Sequence, residues 1–189
     1  MPDFTPLRNR SQTVAEFSKD LTKADLQKYT NEMLDTVLDI ISSATDADVV
    51  FVPVDPQAKD TFGKPEDLDL AWTLGHVVVH ATASSEEGAA LSSSLARGLA
   101  VEGRSRYETP WETVTTVAQL HQRLDESRRI RLAFLDAWPD EPHLDIIQEL
   151  SFGTFNAVSR FLVGLLHEDS HLEQMREILR QAHTARGQK

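Results

Sequence analysis

Seven histidines supply much of the chemistry open to this chain. Four of them form pairs four residues apart, His76 with His80 and His167 with His171. Each residue of an α-helix turns the chain by about 100°, so positions i and i+4 stand nearly in line on one face. Two imidazoles in line can bind one metal ion, and a third ligand must then come from another helix. Continued along its helix, the first line reads Thr73, His76, His80, Ser84 and Glu87. The second reads Asn156, Arg160, Gly164, His167, His171 and Gln174. Both lines are more polar than their flanks, which also describes an ordinary wet helix face. The chain has no cysteine, so imidazole and carboxylate are its only strong ligands and a thiolate nucleophile is excluded.

Residues 167–171 also spell H-E-x-x-H, the string in which zinc metalloproteases carry two ligands and a general-base glutamate. The extension that would complete a known protease set fails, because Gln174 stands where glycine is needed and Glu177 where histidine is needed. A protease is therefore set aside. Glu168 keeps a possible part in moving a proton near a bound metal, against the plainer reading of a solvated glutamate.

Four long helical stretches must position these groups. Helix 1 starts at Thr22, which with Asp25 makes a capping-box pair, and runs to about Ala44 on Leu26, Tyr29, Met33, Val37, Ile40 and Ile41. The run Val49 to Val52, broken by Pro53 and Pro56, reads as an extended loop crossing the bundle. Helix 2 begins near Leu68 to Leu70 and ends near Arg97, before Gly98 and Gly103. Helix 3 has a second capping box, Thr116 with Gln119, and is closed by Trp138-Pro139. Helix 4 starts around Ser151 and runs to about His183, with an apolar first half that includes Phe152, Phe155, Val158 and Phe161. Four such helices without a sheet pack as an all-α four-helix bundle. The long link from Arg97 to Trp111 predicts a crossover between helices 2 and 3. The 189 residues suit one domain, with residues 1–20 as an N-terminal arm and the bundle at about 21–183.

Composition narrows the partners. The net charge of -11 repels phosphate backbones and anionic lipid, so neither nucleic acid nor a membrane is expected. The arginine cluster Arg123, Arg128, Arg129 and Arg131 lies among acids and reads as a solvated helix face. The N-terminus has no signal-peptide pattern, no stretch approaches the roughly 18 apolar residues of a membrane span, and a cytoplasmic protein is expected. His121 and His143 read as surface residues, and Trp72 and Trp111 as packing residues.

The segment from Trp72 to His80 resembles the second helix of the DinB-like superfamily, where a tryptophan precedes a metal-binding histidine by eight positions. His167, His171 and Gln174 resemble its last helix, and the resemblance covers roughly residues 20–183. It implies a four-helix bundle with a long link between helices 2 and 3, and frequent homodimers. It implies a divalent transition metal, zinc or nickel, on His80, His167 and His171, and prefers His80 to His76. Three imidazoles leave positions open, as in catalytic metal sites. The expected function is a metal-dependent enzyme acting on a small-molecule substrate, a thiol S-transferase using a low-molecular-weight thiol or a hydrolase. His76, Glu87 and Gln174 would orient ligands or touch substrate. The alternative is a non-catalytic, stress-related metal-binding protein that acts through a dimer surface.

Overall fold

The computed structural model describes residues 2–56, 58, 69–103 and 107–187. Its element order is α1 (Thr5–Arg8), α2 (Val14–Ser18), α3 (Lys23–Ile41), α4 (Asp46–Val49), α5 (Leu74–Ala96), a 3-10 turn (Trp111–Thr113), α6 (Val117–Asp136), β1 (Gln148–Leu150), β2 (Gly153–Phe155) and α7 (Ala157–Ala185). The fold is all-α in character, and α3, α5, α6 and α7 are its long helices.

Local chemistry sets the helix starts. Thr22 caps α3 and Thr116 caps α6, each in a full capping box, with Asp25 and Gln119 respectively. Thr73 caps α5 by accepting from the His76 amide, and Asn156 caps α7 by accepting from that of Ser159. Helix α3 buries one stripe, Leu26, Thr30, Met33, Leu34, Val37 and Ile41, as expected for an outer helix with one apolar face. Helix α5 is different: small and apolar residues cover it on every side, and it is buried along most of its length. It packs most extensively against α7.

Three boundaries differ from the sequence expectation. The α5 start expected at Leu68 to Leu70 falls partly outside the described residues, and the helix begins only after Thr73, leaving Trp72 in the preceding extended segment. The start expected for the last helix at Ser151 is occupied by a two-stranded antiparallel hairpin, with Gln148 opposite Phe155 and Leu150 opposite Gly153. Gly153, at φ 152°, takes a backbone conformation that favours glycine, and Asn156 then starts α7. The valine run is also split. Val49 closes the short α4 and is buried, while Val54 lies along α7, where the Gln181 amide both accepts from its N–H (2.8 Å) and donates to its carbonyl (3.1 Å).

The first twenty residues do not trail away from the bundle. Phe4 and Leu7 are buried in the main core, Phe17 packs against Phe4, and α2 lies against α7. Among the described residues, no helix is long and apolar enough to cross a membrane.

Candidate metal site

Close approach of α5 and α7 brings the histidine pairs together. The two helices run antiparallel: Ser92 donates to the Ala157 carbonyl (2.6 Å), Ser85 to the Gly164 carbonyl (3.0 Å), and His80 meets His167. A Cβ on Gly164 would lie 3.0 Å from the Ser85 Cα, and one on Gly88 would lie 3.4 Å from the Gly164 Cα. Only small residues at these crossings let the backbones come this near, so short imidazole side chains one or two turns on can reach across.

His80, His167 and His171 converge. One nitrogen of each lies within 4.8 Å of the others, and this is the one such group of potential ligands among the described residues. The ring centroids are 4.7 to 5.2 Å apart. The Nε2 atoms of His80 and His167 are 3.0 Å apart. Two imidazole nitrogens at that distance must share either a proton or a cation. Nitrogens that each sit about 2.0–2.1 Å from one ion are roughly 3 to 3.5 Å apart, so the observed pair suits a common metal. At His171, Nδ1 lies 2.8 Å from Gln174 Oε1. That oxygen can only accept, so Nδ1 carries the hydrogen and the Nε2 lone pair is turned to the cluster. At His80 it is Nδ1 that faces a carboxylate, Glu108 Oε2 at 3.7 Å. The donor set and its orienting partners fit a divalent transition metal held through Nε2 atoms.

Aromatic rings brace the cluster. The buried His76 ring stacks between Trp72 (4.4 Å, 24°) and Trp111 (4.9 Å, 7°). Trp72 also leans on His80 (4.5 Å) and His171 (5.9 Å). His76 is thus separated from the converging nitrogens by its own stacking, and Trp72 and Trp111 pack as expected, but against the site itself. His121 and His143 are exposed.

A cavity of about 400 Å³ opens beside His80 and His167. Glu87 and Arg160 line it, both buried, with Gln148, Leu150, Phe152 and Val163. Arg160 Nε donates to Gln148 Oε1 at 2.9 Å. Glu87 therefore belongs to the wall of the space that borders the histidines. Gln174 borders a different groove, with Pro53 and Val54.

Glu168 needs correction. It is neither solvated nor placed to serve a bound water, because it is fully buried and both oxygens are engaged by Arg131, at 2.6 and 3.1 Å. Ser85 Oγ lies 3.1 Å from it as well, its one hydrogen shared between this carboxylate and the Gly164 carbonyl. The arginine cluster is corrected with it. Arg131 has no exposed surface, Arg123 pairs with Glu86, and Arg128 reaches Asn31 and Asp35 on α3, leaving Arg129 as the solvated member. Glu108, Gln148 and Arg160 were missed as site residues. For Arg160 a signal existed: it is a charge inside the apolar run from Phe155 to Leu166, on the line of His167. Glu108 sits in an irregular segment, where no periodicity marks it.

A family model described as the DinB superfamily matches residues 29–175, most of the chain, and the chain belongs to that superfamily. No curated protein and no solved structure gives a match.

Proposed function

We propose that this DinB-superfamily chain is a metal-dependent enzyme acting on a small molecule, a thiol S-transferase or a hydrolase. His80, His167 and His171 would hold one divalent transition metal, zinc or nickel, through their Nε2 atoms. Such an ion supplies Lewis acidity and makes a small thiol or water a better nucleophile near neutral pH. The observation that carries the reading is the 3.0 Å approach of two Nε2 atoms at the edge of an open cavity, rather than in a sealed core. Structural sites close all four positions with protein ligands, whereas a three-histidine set with space beside it leaves room for substrate.

The chain's own groups have separable duties in this reading. Gln174 fixes the His171 tautomer and Glu108 faces His80. The Trp72–His76–Trp111 stack holds the His80 side of the cluster in place. Glu87 lies in the cavity wall two helical turns from His80, where it would touch substrate rather than the nucleophile at the metal.

Elemental analysis of tag-free protein tests this. We expect about one equivalent of zinc or nickel in the wild type and in His76→Ala, and none in His80→Ala, His167→Ala or His171→Ala. Turnover of small thiols or electrophilic substrates should follow the metal. Wild-type protein that stays metal-free after reconstitution with zinc and with nickel would sink the proposal.

A further inference from the structure

The cavity beside the histidines has a wall that the fold leaves incompletely covered. Within residues 157–165 of α7, every residue but Val163 is buried. Val163 precedes His167 by four residues, so it stands one turn away on the same line of the helix, and it lines the cavity. Leu150 of the hairpin is half-buried, and Phe152 at its turn is 67% exposed. Both line the same cavity. Three apolar side chains from two elements thus border one space while staying in contact with water.

The exposure of Phe152 is built into the hairpin. Its ring leans on that of Phe155, with centroids 5.3 Å apart. A Cβ on Gly153 would lie 3.0 Å from the Phe155 ring, so glycine lets that ring fold beneath the turn and leaves Phe152 at the cavity mouth. Charge narrows what can cover these side chains. Glu87 and Arg160 both line the cavity, buried, about two helical turns from His80 and His167. An anion placed there meets the carboxylate, and a cation meets the guanidinium. The two charges cancel, so this wall favours neither sign and suits an uncharged group. Size narrows the occupant further. A cavity of about 400 Å³ falls in the roughly 300–1,000 Å³ range of small-molecule pockets.

We propose that the substrate carries an uncharged apolar group, alkyl or aryl, that lies on Leu150, Phe152 and Val163, with Phe152 as the specificity-determining residue. That this group belongs to a substrate rests on the function proposed above, whereas the apolar subsite does not. Removing apolar surface from water contributes in proportion to its area. Each methylene that the subsite covers should therefore tighten binding by about fourfold.

The test titrates tag-free protein, metal-loaded and chelator-stripped, with butanamide, hexanamide and octanamide, read by ligand-observed NMR. Affinity should rise with chain length in both states, by about fourfold per methylene. On stripped protein, octanoate and octylammonium should bind no tighter than octanamide. Phe152→Ser should weaken octanamide by about tenfold and flatten the dependence on length. Phe152→Leu should restore most of it. Val163→Thr, which keeps the shape and adds a hydroxyl, should weaken octanamide several-fold. Phe152 is mostly exposed, so its variants should fold as the wild type does, and thermal melts check this. No binding, no dependence on length, or tighter binding of either charged probe to stripped protein would overturn the proposal. So would variants that leave octanamide binding unchanged. If sedimentation shows that Phe152→Ser breaks a dimer while octanamide binds as before, the surface is covered by a second copy and the proposal falls. If the protein takes up no metal but keeps a length dependence that Phe152→Ser removes, the catalytic reading fails and the apolar subsite stands.

Discussion

Two polar layers lie side by side on the α5–α7 interface, and they differ in what encloses them. His167 and Glu168 are neighbours in sequence, about 100° apart around one helix. His167 turns to His80 and an open cavity, and its nitrogen meets another nitrogen. Glu168 turns to Arg131 and Ser85 inside the core, where every polar atom of the pair has an opposite or complementary partner. One layer gathers like donors and, in the reading proposed above, is completed by a metal ion. The other gathers opposites and is complete as it stands. On that reading the difference separates a cluster open to a ligand from one that holds three helices together.

Breaking the sealed layer should have the largest effect. Glu168→Ala leaves the Arg131 guanidinium buried with only Ser127 Oγ on its Nε, at 3.0 Å. Removing one partner of a buried pair typically costs about 3–5 kcal/mol. We expect chemical denaturation to show a loss of that size, with metal content per folded molecule unchanged. Replacing both partners by apolar residues, Arg131→Met with Glu168→Leu, should recover most of it. A loss below about 1 kcal/mol accompanied by loss of metal would abolish the distinction between the layers.

The open layer should show the reverse pattern. Gln174 is half-buried and touches the site through its contact with His171 Nδ1. Gln174→Ala should lower metal affinity by about 10–100-fold, the usual worth of an orienting partner. Metal-free stability should move by no more than about 0.5 kcal/mol, as for a surface substitution. A chelator competition titration beside a denaturant melt of the stripped protein reads both quantities.

How far the comparison could be read without coordinates depends on the range of the contacts. The histidine pairs were legible because i, i+4 spacing on two helices is a local pattern, and so were the capping boxes at Thr22 and Thr116, but spacing did not choose His80 over His76, which the family resemblance did. The sealed layer was not. Arg131 stands in a run of arginines among acids, and nothing local distinguishes the one that turns inward from Arg129, which does not. Its partner is on another helix, a pairing fixed by tertiary packing alone. The hairpin failed for a related reason. Phe152 and Phe155 sit three apart and mimic a buried helical stripe, yet one is exposed at a turn and the other buried in a strand. Gly153 and Asn156 were the available signals of a break, and they were outweighed by the apolar run.

The residue after Glu168 gives a third environment and the smallest expected effect. Asp169 pairs with Arg8 of α1, tying the N-terminal segment to the helix that carries His167 and His171. Burial raises the Asp169 carboxyl above its ordinary range, and Arg8 opposes that shift. A raised folded-state pKa means that the folded chain holds this proton more tightly than the unfolded chain, so the group detracts from stability as pH rises through the folded value. Arg8→Ala removes the opposition and raises the carboxyl further. The variant should therefore match wild type below the ordinary carboxyl range and fall behind it towards neutral pH. With the arginine half-exposed, the deficit should be about 1 kcal/mol or less. Thermal melts of both proteins across that range read the deficit. A deficit that persists in acid, where the carboxyl is protonated, would mean that Arg8 contributes by packing or by bonds to the neutral carboxyl rather than as the counter-charge of the Asp169 anion.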